Sequence, residues 1–244
     1  MKANQRSNHR SEDGSLLAVV QAMIHQGETE AIALLRHSPM LARQSLAEGA
    51  TRQGATDFFL HEIKHYLYAG DTLLHAAAAG YRSRISRALL ECGADVSARN
   101  RRGAEPLHYA ADGSPTGHTW DPKAQSEIIA LLIEAGASPN ALDKSGVAPL
   151  HRAVRQRCSS AVDALLKRGA QVRLKNKSGS SPLHLAVQNT GKGGTGSPES
   201  KSHQREIIQI LLRAGAMPHD RDGKGKTVID CIREDWIRAI FPES

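Results

Sequence analysis

A short phrase recurs along this chain: Leu73-Leu74-His75, Pro106-Leu107-His108, Pro149-Leu150-His151 and Pro182-Leu183-His184, with a worn copy at Val228-Ile229-Asp230. The histidines are spaced 33, 43 and 33 residues apart, and Asp230 follows His184 by 46. Self-similarity near 33 residues constrains the fold more than any local motif. It is the signature of helix pairs that cannot bury their apolar faces alone and must stack on their neighbours. Stacks of this kind are commonly binding surfaces rather than reaction centres.

The residues around each phrase repeat as well. Gly70, Gly103, Gly146, Gly179 and Gly225 each stand five positions before an anchor. After each anchor come small residues, an aliphatic pair and Gly-Ala: Leu89-Leu90 with Gly93-Ala94, Leu131-Leu132 with Gly136-Ala137, Leu165-Leu166 with Gly169-Ala170, and Leu211-Leu212 with Gly215-Ala216. Thr72, Ser181 and Thr227 fall where a helix N-cap is wanted, because a hydroxyl can accept from the unpaired amides of the first turn. Pro106, Pro149 and Pro182 then occupy the first helical position, where a missing N–H costs nothing. Glu105 and Ala148 replace the capping hydroxyl, which predicts a looser start for those two helices. The glycines of the Gly-Ala pairs end the second helices, where positive φ is needed.

This pattern closely resembles the ankyrin repeat, Thr-Pro-Leu-His-x-Ala followed by Leu-Leu and Gly-Ala-Asp. The match covers residues 71–230. The resemblance implies an all-α solenoid of stacked antiparallel helix pairs with projecting β-hairpin-like turns. It also implies that His75, His108, His151 and His184 are structural anchors, each bonding the capping hydroxyl and an adjacent turn.

Ten extra residues separate His108 from Gly136, centred on 113–122, and thirteen separate His184 from Gly215, within 190–203. Both fall between the two helices of a repeat and are expected to be enlarged loops. The second is Gly/Ser-rich and is expected to be mobile, whereas Pro115, Trp120 and Pro122 predict an ordered first loop. Residues 1–14 are polar and read as a disordered tail. Residues 15–70 read as a degenerate capping repeat, in which Gly27 and Pro39 end two helices. A lead-in amphipathic helix follows, marked by Phe58, Phe59, Leu60, Ile63, Tyr66 and Leu67. The array then runs from 71 to 244, with four good repeats, a worn fifth and a terminal cap around Trp236.

The chain carries 32 Lys and Arg against 25 Asp and Glu, a formal charge of +7. No apolar run approaches the roughly 18 residues of a membrane span, and no secretory core follows Met1. The three cysteines, Cys92, Cys158 and Cys231, stand in different repeats and read as reduced thiols. A monomer in the cytoplasm, with no membrane and no cofactor, is the expectation.

One catalytic motif stands out. His61-Glu62-Ile63-Lys64-His65 matches His-Glu-x-x-His, in which two imidazoles one helical turn apart hold zinc and the Glu acts as general base. A zinc hydrolase built on His61, Glu62 and His65 is therefore the alternative from another class. Gly225-Lys226-Thr227 resembles the end of a phosphate loop, but Asp220 stands where that loop needs a glycine.

The favoured function is a non-catalytic protein-interaction scaffold. In ankyrin proteins the turns and first-helix ends meet partners. Counted from the anchors, those positions supply Arg101, Arg102, Lys144, Arg155, Lys177, Lys224 and Lys226. Such cations would steer an acidic protein partner. Nucleic acid is disfavoured as partner, since aromatic content is 4 % and no aromatic stands at those positions to stack a base.

Overall fold

Each anchor phrase opens a short helix. The computed structural model describes residues 16–51, 54–115, 117, 120–189 and 196–241. Residues 16–21 are helical and continue as a π-helical turn, Ala22–Gln26, to form α1. The elements after it are α2 (Glu28–His37), β1 (Phe59–Leu60), β2 (His65–Tyr66), α3 (Leu73–Ala79), α4 (Ser83–Glu91) and α5 (Pro106–Ala110). Then come α6 (Pro122–Glu134), α7 (Pro149–Arg155), α8 (Ser159–Leu166), α9 (Pro182–Ala186), α10 (Pro198–Arg213) and α11 (Asp235–Arg238). Two compact units divide the chain. The first holds Met1–Ala110 with Leu131–Ser138, the second Ala111–Ala130 with Pro139–Ser244.

In the first unit, Gly27 ends α1 and opens α2 with φ of 100°. Leu16, Val19, Val20, Met23, Ala31 and Leu35 of this pair are buried, and α2 packs on α4 while α3 packs on α4 and α5. Leu73, Leu74, Ala76, Ala77 and Ala78 of α3 are all at most 4 % exposed. A helix buried on every side can lie that close to its neighbours only with small side chains, which accounts for the alanines.

The lead-in helix expected over residues 58–67 does not form. Phe59–Leu60 and His65–Tyr66 pair as an antiparallel hairpin, with Phe59 opposite Tyr66 and Leu60 opposite His65. Lys64 turns the chain at φ of 48°. Leu67 N–H donates to the Phe58 carbonyl at 2.8 Å, and Ala50 N–H to the Leu67 carbonyl at 2.7 Å. Pairing with residues outside the segment thus outweighs a helical spacing of apolar residues.

In the second unit α7 packs on α8 and α9, and α10 packs on both α8 and α9. The worn copy keeps only one 3-10 turn, Ile229–Cys231. Asp230 Oδ2 accepts from Thr227 N–H at 2.8 Å, the bond that a histidine makes in the other repeats. The insertions are partly helix. Asp121 Oδ1 accepts from the amides of Lys123 and Ala124 and so caps α6. Ser197 Oγ accepts from Ser200 N–H and caps α10. Residues 198–203, expected to be loop, are therefore the first turns of α10. The expectations for the tail 1–14, for 190–195 and for 116, 118 and 119 lie outside the described residues.

Candidate functional site

A side chain eight positions before each later anchor builds every turn. Asn100 Oδ1 accepts from Arg102 N–H at 2.9 Å and Ala104 N–H at 3.0 Å. Asp143 Oδ1 does the same with Ser145 and Val147 at 2.8 and 3.0 Å. Asn176 serves Ser178 and Ser180 at 2.9 and 3.1 Å, and Asp222 serves Lys224 and Lys226 at 2.8 and 3.0 Å. A short amide or carboxylate can mimic a backbone acceptor in this way. The backbone closes each loop too, for example by Asn100 N–H to Ala104 O and Asp143 N–H to Val147 O.

The residues held between those bonds project. Arg101, Arg102, Lys144, Lys177 and Lys224 are all exposed, as are Lys226 beside its turn and Arg155 at the end of α7. Within the second unit neighbouring turns are joined, Lys177 N–H to Ser145 O at 3.3 Å and Gly223 N–H to Ser178 O at 3.0 Å. The turns bearing Lys144, Lys177 and Lys224 are thus adjacent. Gly179, at φ of 73°, lies so close to Gly223 that an added Cβ would strike the Gly223 backbone.

In the first unit Arg101 and Arg102 do not stand free. Their guanidinium carbons lie 5.4 and 5.0 Å from the centre of the Tyr68 ring. Arg102 donates to Tyr68 Oη at 3.0 Å, and Arg101 to the carbonyl of Ala50.

The anchor histidines bond to the helix starts. His75 Nδ1 accepts from Thr72 N–H at 3.1 Å and lies 3.0 Å from its hydroxyl, while Nε2 reaches the Ala104 carbonyl at 3.1 Å. An acceptor Nδ1 and a donor Nε2 define a neutral ring. The hydroxyl thus serves the histidine, and the helix start is fixed by the imidazole. This corrects the looser starts expected at Glu105 and Ala148, because the amides of both still donate to His108 and His151 at 3.1 Å. His184 receives Ser181 N–H at 3.2 Å and faces the Lys226 carbonyl at 3.3 Å. Burial lowers the His151 pKa, although the backbone at Ser180 and Leu174 works to raise it.

Sequence reasoning passed over several buried polar groups. Asp71, 1 % exposed, accepts from Tyr68 N–H at 2.6 Å, Asn100 Nδ2 at 2.8 Å and the Tyr109 hydroxyl at 2.8 and 2.9 Å. Arg152 bridges Asp112 at 2.9 Å and Asp143 at 3.3 Å. Arg157 sends its guanidinium to the carbonyl of Gln188 at 2.7 Å and those of Leu185 and Ala186 at 3.4 Å, and burial pulls its pKa down to about 10. Gln204 joins it on the Ala186 and Gln188 carbonyls, both at 2.7 Å. Cys158 is buried, which pushes its thiol up to about 12 and makes it a poor nucleophile.

The zinc motif loses its geometric basis. Residues 61–64 form the hairpin turn, so His61 and His65 do not share a helix face. His61 meets the Phe59 ring edge-on at 4.8 Å, and His65 lies against the Tyr109 ring at 4.2 Å. Among the described residues no group of three or more His, Cys, Asp or Glu could hold a metal ion.

Comparison with family models matches residues 69–101 and 102–144 to the ankyrin repeat, and residues 132–186 to a model of ankyrin repeats in many copies. Residues 69–186 are ankyrin repeats. Ankyrin repeats imply a helical repeat solenoid and indicate a protein–protein interaction module, in a family that is generally a non-enzymatic scaffold. No curated protein matches this chain. None of the helices described here is long and apolar enough to cross a membrane.

Proposed function

We propose that this chain binds an acidic protein partner through the cations of its turns and performs no catalysis. The observation that carries the reading is the recurrent turn. An Asx side chain pins each loop, and the pinned loop presents Arg101 and Arg102, Lys144, Lys177 or Lys224 to solvent. Pinned loops lose little entropy on binding, and cations at their tips attract an acidic surface from a distance. The partner recovered by affinity capture with the wild-type chain should bind less as salt rises, because exposed charges are screened within about 10 Å at 0.1 M. Competition with duplex DNA separates the readings: DNA should displace such a partner poorly. Strong displacement, with affinity falling linearly in log salt, would make nucleic acid the partner.

A further inference from the structure

We propose that the first unit carries a specific pocket for an acidic peptide segment, with an acidic side chain seated on Arg102 and an apolar neighbour against Tyr66. The inference rests on the protein-binding reading and narrows it to one place. A shallow cavity of about 340 Å³ is lined by Ala50, Thr51, Ala55, Tyr66, Tyr68, Arg101 and Arg102. Both charged residues of its described lining, Arg101 and Arg102, are cationic. Arg102 lies over the Tyr68 ring and donates to its hydroxyl, so the ring fixes the guanidinium before any ligand arrives. Arg101 lies over the same ring and is held by the Ala50 carbonyl. A guanidinium presents five donors in a planar fork that matches a carboxylate two bonds at a time.

The apolar half comes from the hairpin that replaces the expected helix. Tyr66 is 39 % exposed and is braced by Phe59, ring centroids 4.6 Å apart. An exposed aromatic ring braced from one side, next to two fixed cations, suits a carboxylate that has an aliphatic or aromatic residue beside it. A nucleic-acid strand fits less well. It needs a cationic track that follows successive phosphates, whereas here the cations converge on one ring.

The test uses the full chain and fluorescence anisotropy with three labelled probes: a short peptide of alternating glutamate and leucine, its glutamine counterpart, and a short oligothymidine strand. The glutamate peptide should bind saturably and the glutamine peptide weakly. Arg102→Glu should raise the half-saturation concentration about ten-fold or more, and Arg102→Lys should raise it less, since it keeps the charge but loses the fork. Tyr66→Ser should weaken binding as well. Thermal melts of the variants check that the unit remains folded. A second variant, Lys144→Glu with Lys177→Glu, separates the failures. If that pair abolishes binding while Arg102→Glu leaves it unchanged, the pocket is wrong and the cationic-turn reading survives. If neither variant matters, or the glutamate peptide does not bind, both fall for this ligand class. Tighter binding of the oligothymidine strand, lost in Arg102→Glu, would overturn the peptide assignment in favour of nucleic acid.

Discussion

Trp120 and His203 meet edge to face with ring centroids 5.4 Å apart, although each comes from a different inserted segment. Trp120 also donates from Nε1 to Gln125 Oε1 at 2.9 Å, and His203 Nδ1 lies 3.2 Å from the Ser159 hydroxyl. The pair ties the first insertion to the first turns of α10. Trp120→Ala removes an aromatic contact and the indole hydrogen bond to Gln125. The expected loss is about 1–2 kcal/mol in urea unfolding. His203→Ala should lose part of the same energy, and the double variant should cost less than the sum of the singles.

Asn176 holds its turn with two bonds to backbone amides. Asn176→Ala should cost about 1–2 kcal/mol, and Asn176→Asp, which keeps the acceptor, should cost much less. Urea unfolding of the two variants beside wild type measures the difference.

Asp143 gives a pH signature. Burial acts to raise its pKa, but the Val147 and Ser145 amides and the Arg152 guanidinium outweigh that and hold it below 3.8. A carboxyl with a depressed folded pKa stabilises the fold fully above its unfolded pKa. It loses that contribution as pH falls through the folded value. Asp143→Asn keeps the turn acceptor used at 100 and 176 but drops the charge. The wild type should exceed this variant by about 1 kcal/mol at neutral pH, and the gap should close as pH falls below 3.8. A constant gap down to pH 2 would show that the charge plays no part.

Arg157 is buried, and its donors go to main-chain carbonyls at the end of α9. Arg157→Met should take one donor from each of those carbonyls, with Gln204 still donating to Ala186 and Gln188, and destabilise by about 1–3 kcal/mol. Thermal unfolding should show one of the larger single-site losses in the second unit.

The sequence made the repeats legible because helix starts and stops are local. Proline at the first helical position, histidine two residues later and glycine past the second helix each act within a few residues. The Asx residues at 100, 143, 176 and 222 stand at an equally fixed offset of eight from the anchors, but short polar residues are common in turns of every kind. Asp121-Pro122 and Ser197-Pro198 were cap signals overlooked inside apparent loops. The hairpin at 59–66 was not legible, because Phe59, Leu60, Ile63 and Tyr66 suit a helix face equally well. Its pairing depends on Ala50 bonding to Leu67 and on Tyr109 packing against His65. The place of Arg101 also escaped. Its position in a turn marks it as a partner-facing cation, and the guanidinium instead reaches the Ala50 carbonyl.

The most direct test of the account is the association rate between this chain and its captured partner. Arg102, Lys144, Arg155, Lys177 and Lys224 are reversed to Glu together, with Arg101 kept because it braces the first unit. Stopped-flow mixing at low and high salt should show the wild type associating about ten-fold or more faster at low salt, with the advantage vanishing as salt rises. Equal rates for the reversed and wild-type chains at low salt, in variants that melt normally, would contradict binding through the cationic turns.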